Sequence, residues 1–367
     1  MRILLCAGGT GGHIYPALAL ARHIKRKNNK AEVLFVGAKH GLESRLVPEA
    51  GFQLETISIR PYRKRVREVA PATLDLGKSS YQVNRLLWRF RPGVVLGTGG
   101  YVSGPVALWS WIRGYPVLIH EQNAIPGKTN RWLAPLVDRV CISFDYSRRY
   151  FSRRASLVLT GNPRASEVSF YQREEGLRSW NLSPDKKTLL VFGGSQGAQK
   201  INRVILECLQ RDLFPRDLQV IYVTGERYYG EIEQDAGGDF GRGEIKIIPY
   251  ISNMPLALAA ADLVVSRAGA TALAEITARG VPSILVPSPN VVHNHQYYNA
   301  RLLEEQGAAR IIEEKDFSAY TFSQQVRFLL EHEKKLEDMK INSANMGMPG
   351  AAEKVYQSMQ EVMDKSS

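Results

Sequence analysis

Short runs of apolar, often β-branched residues alternate with helical periodicity along almost the whole chain. No other feature of the sequence restricts the fold so strongly. In the first half the runs are Ile3–Ala7, Val33–Gly37, Gln53–Ile59, Val94–Gly97, Val117–His120, Arg139–Ile142 and Leu157–Thr160. The second half restarts the pattern with Thr188–Phe192, Gln219–Val223, Ile245–Ile248, Leu263–Ser266 and Ser283–Val286. Between them lie stretches such as Pro16–Lys27, where Ala17, Leu18, Ala21 and Ile24 fall on one helical face. Strands that are apolar on both faces belong to parallel sheets covered by helices on both sides. The chain therefore reads as an α/β protein of two Rossmann-like, doubly wound parallel-sheet domains with a cleft between them, and its 367 residues suffice for both. The boundary is expected after Gly161-Asn162-Pro163, before the polar stretch Gln172–Lys187. That gives domains 1–163 and 164–344, with a last helix over about 345–363 (Ala351–Met363 at its core) packing back across the junction.

Other classes are excluded. No run of 18 or more apolar residues exists, since the best stretch, Val106–Ile119, is broken by Arg113. Met1-Arg2 leads straight into Ile3-Leu4-Leu5 without the layout of a signal peptide, so the chain is expected on the cytoplasmic side. Cys6, Cys141 and Cys208 are too scattered for a disulfide framework or a metal cluster. The charge is uneven: residues 1–163 carry 25 Lys+Arg against 9 Asp+Glu, a balance of +16, whereas the remainder carries −4 within the net +12. The first half is therefore expected to meet an anionic partner, either nucleic acid or a membrane surface.

Three strands run into glycine clusters: Gly8-Gly9-Thr10-Gly11-Gly12-His13, Gly97-Thr98-Gly99-Gly100-Tyr101 and Gly193-Gly194-Ser195-Gln196-Gly197-Ala198. Glycine lets backbone N–H groups approach a ligand closely, and a loop that opens a helix aims the positive end of its dipole at an anion. Phosphate cradles are the expected use, with tight strand-to-helix turns as the alternative. A nicotinamide site does not fit, because counting from Gly9 the sixth fingerprint position is Ile14 and the second strand ends in Gly37-Ala38 without a carboxylate. A P-loop does not fit either, for no Gly-Lys-Ser/Thr follows any cluster. The expected ligand is therefore a phosphorylated compound of another kind, and the sequence contains no Asp-x-Asp.

The blocks Gly8–His13, His120-Glu121-Gln122-Asn123, Gly193–Gln196, Ser266-Arg267-Ala268-Gly269, and His295-Gln296 with Asn299-Ala300 resemble the MurG family of peptidoglycan N-acetylglucosaminyltransferases. The resemblance runs in order over nearly the whole chain. One departure is that family members often read Gly-Asn-Pro-Val-Arg, whereas here Arg164 directly follows Pro163.

That resemblance implies the GT-B architecture and a cofactor-free, metal-independent enzyme. Such an enzyme moves N-acetylglucosamine from UDP-N-acetylglucosamine to the 4-hydroxyl of the muramoyl sugar of lipid I, forming lipid II with inversion at the anomeric carbon. Inversion calls for a base at the acceptor hydroxyl and a holder for the departing diphosphate. The resemblance places Ser195 on the donor phosphates, although a serine there is also suited to capping a helix. It borders the nucleotide with Ala270, Thr271, Ala272, Leu273, Ala274 and Glu275, the Glu275 carboxylate accepting from the ribose hydroxyls. It sets the Ile251 backbone against uracil, Gln296 and Asn123 on the donor sugar, and Thr10, Gly11 and Gly12 among the sugar-nucleotide contacts. Arg164 reaches the donor or cross-links the domains. His13 is a candidate base or acceptor-orienting group, its ordinary pKa lying near neutrality; a structural histidine capping the loop is the alternative. Glu121 competes for the role of base.

A lipid-linked acceptor requires work at a membrane without spanning it. Residues 60–92 hold nine basic side chains, namely Arg60, Arg63, Lys64, Arg65, Arg67, Lys78, Arg85, Arg89 and Arg91, against Glu68 and Asp75. Leu74, Leu76, Tyr81, Leu86, Leu87 and Trp88 are interleaved, and Trp109 and Trp111 follow. Such a segment suits anionic headgroups and the membrane interface, which places the protein peripherally on the cytoplasmic face of the cell membrane. Other cell-wall synthesis proteins are further candidate partners. Nucleic acid is not, for no zinc knuckle, RNP motif or basic zipper is present. Another GT-B transferase, acting on a lipid acceptor such as diacylglycerol, is the competing reading.

Overall fold

The computed structural model describes residues 1–59, 69–168, 170–235 and 245–366, and the side chains of all of these except 69–76 and 366. The chain divides into two compact units, Met1–Arg164 with Gly350–Ser367, and Ala165–Pro349.

The first unit alternates β1 (Arg2–Cys6), α1 (Gly11–Lys27), β2 (Glu32–Ala38), α2 (Glu43–Glu49), β3 (Gln53–Ile57), α3 (Val69–Phe90), β4 (Val94–Gly97), α4 (Ser103–Ile112), β5 (Val117–Glu121), α5 (Lys128–Leu133), β6 (Arg139–Ile142) and β7 (Leu157–Leu159). The strands form one parallel sheet in the order β3-β2-β1-β4-β5-β6-β7. Two cores cover it. Ile3, Leu5, Ile14, Leu18 and Phe35 lie in one; Leu4, Cys6, Val36, Val95 and Val106 lie in the other. Alternate residues of β1 thus enter opposite cores, which is why that strand reads as an unbroken apolar run.

The second unit contains α6 (Arg173–Trp180), β8 (Lys187–Phe192), α7 (Gln199–Gln210), β9 (Leu218–Val223), α8 (Glu226–Asp235), β10 (Ile245–Ile248), α9 (Met254–Ala260), β11 (Leu263–Ser266), α10 (Ala270–Arg279), β12 (Ser283–Leu285), α11 (His295–Glu305), β13 (Ala309–Ile311), α12 (Ala319–Glu331) and α13 (Glu333–Met346). Its sheet is also parallel, ordered β10-β9-β8-β11-β12-β13. A final helix, α14 (Ala351–Ser366), belongs to the first unit, where Val355, Tyr356, Met359 and Val362 join the α1 core.

One expectation is revised. The helix expected from Pro16 begins at Gly11, so the glycines of the first cluster form its first turn. The polar stretch Gln172–Lys187 contains α6, started by a capping box between Gln172 and Glu175.

Candidate active site

In a doubly wound sheet, ligands bind beyond the carboxyl ends of the strands where the strand order reverses. In the first unit that point lies between β1 and β4, and in the second between β8 and β11. All three glycine clusters leave strands that border these two points: the first follows β1, the second β4 and the third β8. The second cluster, like the other two, leads into a helix.

In the first unit the two clusters pack on each other so closely that a Cβ on Gly100 would stand 2.0 Å from the Gly8 carbonyl oxygen. A Cβ on Gly99 would come within 2.5 Å of the His13 ring. Thr10 is the extended residue ahead of α1 and makes no side-chain cap there. The Thr98 hydroxyl donates to the His13 carbonyl at 2.8 Å.

His13 Nδ1 lies 3.1 Å from the Thr98 carbonyl and 3.2 Å from Gln122 Oε1, both acceptors. It must therefore carry the hydrogen, and in the neutral ring Nε2 is the unprotonated nitrogen. The Gln122 amide is oriented in turn, its Nε2 donating to the Thr98 carbonyl at 2.5 Å and to His120 Nδ1 at 3.0 Å. His120 Nε2 donates to the Gly161 carbonyl at 2.9 Å. Burial pushes His120 down to about 4, so it stays neutral near pH 7 and its Nδ1 can accept.

Glu121, the last residue of β5, is only 2% exposed. Its Oε1 accepts from the Asn123 N–H at 2.9 Å and from Asn123 Nδ2 at 3.3 Å. Its Oε2 accepts from the Gly127 N–H at 3.0 Å and Asn130 Nδ2 at 2.8 Å. Four donors engage this carboxylate, which makes it a brace for the loop that carries Asn123. Arg164 donates its backbone N–H to Asn162 Oδ1 at 3.1 Å, and its guanidinium lies 5.6 Å from the centre of the Tyr15 ring.

In the second unit Ser195 is exposed in the turn before α7, whose capping position is held by Ala198. Ser195 is thus not the cap of that helix. The turn is closed against the loop after β9, since a Cβ on Gly197 would stand 2.2 Å from the Thr224 carbonyl oxygen. Gly269 precedes α10, whose first turn includes Ala270, Thr271, Ala272 and Leu273, with Ala274 and the buried Glu275 following. The loop ahead of it is fixed by Asn299 Nδ2 donating to the Ala268 carbonyl at 3.2 Å. Arg267 donates to the Val286 carbonyl at 3.1 Å and pairs with Glu314. Ile251 is buried after β10. Gln296 Oε1 already accepts from the Ser288 N–H at 2.9 Å, which turns the Gln296 amide nitrogen the other way.

Of the basic and aromatic segment, residues 60–68 lie outside the described residues, as do the side chains of Leu74, Asp75 and Leu76. Leu86 and Leu87, expected among its exposed apolar groups, are instead buried with Val83 on the inner face of α3. Their spacing is that of a helical core stripe. Tyr81 and Trp88 are exposed on its outer face beside Lys78, Arg85 and Arg89. Trp111 is exposed at the end of α4, whereas Trp109 packs against the core. Among the described residues no helix is long and apolar enough to cross a membrane. Glu43 went unrecognised in the sequence; its only signal there is a carboxylate set among Gly37, Gly41 and the first glycine cluster.

The glycosyltransferase family 28 N-terminal domain matches residues 3–142, and the C-terminal domain of the same family matches residues 188–355. The chain is 42% identical over 366 residues to the UDP-N-acetylglucosamine--N-acetylmuramyl-(pentapeptide) pyrophosphoryl-undecaprenol N-acetylglucosamine transferase of Bacillus cytotoxicus, covering 100% of both chains. It is 43% identical over 372 residues to the enzyme of the same name from Thermoanaerobacter sp. strain X514, covering 99% of this chain and 100% of the other. Among solved structures it resembles Acinetobacter baumannii MurG with a TM-score of 0.76 at 27% identity, over 98% of this chain and 99% of that one.

Proposed function

The chain belongs to glycosyltransferase family 28, and from that premise we propose that it is the transferase that completes lipid II. It moves N-acetylglucosamine from UDP-N-acetylglucosamine to the 4-hydroxyl of the muramoyl sugar in lipid I, inverting the anomeric carbon. Identity over the full length of relatives that carry this name is the observation on which the reading stands. The GT-B pair of parallel sheets, each with glycine loops at its point of reversal, supports it.

In our reading the second unit holds the donor. The backbone N–H groups before α7 and α10, the Ser195 hydroxyl and the helix dipoles take up the negative charge of the departing UDP. Glu275 receives the ribose hydroxyls, the Ile251 backbone meets uracil, and Gln296 presents its amide nitrogen to the sugar. The first unit brings the acceptor. Its hydroxyl oxygen attacks the anomeric carbon in line, the bond to UDP breaks, and the hydroxyl proton passes to a base. We assign that base to His13, whose contacts on Nδ1 leave Nε2 the unprotonated nitrogen of the neutral ring, rather than to Glu121, whose oxygens brace the loop that carries Asn123. Asn123 contributes to the donor sugar from its braced loop, and Arg164 to the donor side. The exposed Tyr81, Trp88 and Trp111, with the surrounding basic side chains, meet an anionic membrane surface.

The test is transfer of radiolabel from UDP-N-acetylglucosamine to a lipid I analogue with EDTA present. Label in the lipid product is expected without added metal. Tight UDP binding without transfer would move the assignment to another lipid acceptor, and absence of both would overturn it.

A further inference from the structure

Glu43, the first residue of α2, is fully buried, with 0% exposure. No cationic side chain pairs with it among the described residues. Burying a carboxylate is costly unless hydrogen-bond donors meet it, and here the donors come from two loops. One oxygen accepts from the Ala38 N–H at 2.8 Å, where β2 ends. The other accepts from the Gly9 N–H at 3.2 Å, just beyond β1. The two strands are parallel neighbours, so the carboxylate bridges the points where both chains leave the sheet.

The space for it is made by three glycines. A Cβ on Gly41 would stand 2.2 Å from one Glu43 oxygen, on Gly37 2.4 Å from its Cγ, and on Gly8 2.9 Å from the other oxygen. Any side chain at these positions would push against the carboxylate. Gly9 itself has φ +90, a conformation that other residues rarely adopt, and its N–H is the one Glu43 holds. Directly after it come Thr10 and the first turn of α1 with His13.

We propose that Glu43 is a positioning residue for the transfer step, acting through Gly9 on the loop that carries Thr10 to His13. By fixing the direction in which the chain leaves β1, it fixes where α1 starts and where the His13 ring meets Thr98 and Gln122. Its charge also lies behind the loop, on the Gly9 N–H, so that donor serves the brace and not a bound phosphate. The proposal rests on the reading of His13 as the acceptor-side base.

The test compares Glu43→Gln with His13→Asn in the full chain, measuring kcat, both KM values and UDP affinity. The amide keeps the shape but sets an NH2 group against one of the two N–H donors. We expect kcat to fall about tenfold or more, the factor that loss of one hydrogen bond to a charged group corresponds to. UDP affinity and the KM for UDP-N-acetylglucosamine should stay within about twofold, and the number of UDP sites per chain and the unfolding temperature should match wild type, whereas a general loss of folding would lower both of these with kcat. Wild-type kcat in Glu43→Gln, beside an inactive His13→Asn, would overturn the brace alone. Full activity in His13→Asn would overturn the assignment of the base instead. A measurement needing no variant is hydrogen exchange of the Gly9 amide in the wild-type chain: protection is expected, and exchange at the rate of a free amide would overturn the proposal.

Discussion

His13 donates its Nδ1–H to two oxygens, and one of them can be changed without altering the size of the side chain that carries it. Gln122→Glu places a carboxylate oxygen beside the ring nitrogen in place of a neutral amide oxygen, and it also removes the NH2 group that donates to the Thr98 carbonyl and His120 Nδ1, so Gln122→Met, which removes the same donor without adding charge, is the control. A negative charge at that distance favours the imidazolium and raises the pKa of His13. A base must be unprotonated to act, so the acid limb of the kcat profile should move to higher pH. A pH–rate profile at saturating donor and acceptor checks this, and an unmoved limb would remove His13 from proton transfer. The sequence made His13 visible as part of a glycine cluster. It could not make Gln122 visible as its partner, because 109 positions separate the two and only the adjacency of β4 and β5 brings them together. The same holds for Glu43, which lies 34 positions from the amide it holds and reads in isolation as a surface carboxylate.

Helices and strands were legible wherever their periodicity was strong and their length adequate. β1, β4, β5 and β11 fall within a residue or two of their expected positions, since a fully buried parallel strand is a run of apolar residues whatever surrounds it. β13 was missed: it has three residues, Ala309–Ile311, with Arg310 in the middle, and lies at the edge of its sheet. Leu86 and Leu87 were misjudged because a basic helix with an apolar inner face and one with an exposed apolar patch have the same composition; only packing separates them. α14 lies on α1, where Glu353 meets His23 at 2.8 Å and Lys27 at 3.0 Å. The Lys27 hydrogen bond, with His23 adding to it, holds the Glu353 carboxyl below its ordinary value. A depressed carboxylate stabilises the fold above its unfolded pKa of about 4.3 and loses that contribution as pH falls through the lower, folded value. Thermal unfolding of Glu353→Gln should therefore begin below wild type near pH 7, and the difference should close in acid. Met359→Ala, at a fully buried position of the same helix, should cost about 2–5 kcal/mol at any pH. A Glu353→Gln deficit that persists undiminished into acid would show that the ion pair is not its source.

On the scale of the whole molecule, the surplus positive charge and the exposed tryptophans fall in the same unit. The +16 balance belongs to residues 1–163, and within the same unit Tyr81, Trp88, Trp111 and Trp132 are exposed. Not every cation there is available for an outside partner: Arg89 is paired with Glu55, and Arg113 donates to Asn84 at 2.8 Å. Lys78 and Arg85 stand exposed on α3 beside Tyr81 and Trp88, and so make the more informative substitutions. Basic residues near an anionic leaflet contribute about 1 kcal/mol each, screened by salt, whereas interfacial tryptophans contribute by burying apolar area. Lys78→Glu with Arg85→Glu should therefore weaken binding to anionic vesicles about tenfold or more at low salt and lose most of that effect at high salt. Trp88→Ala with Trp111→Ala should weaken binding at both salt concentrations. UDP affinity should stay unchanged in both double variants, because in the proposed reading the nucleotide is held by the other unit. Vesicle sedimentation across a salt series separates the two contributions. If all four substitutions left sedimentation unchanged, α3 and α4 would not be the membrane face, and the surplus charge of this unit would have to serve the acceptor diphosphate itself.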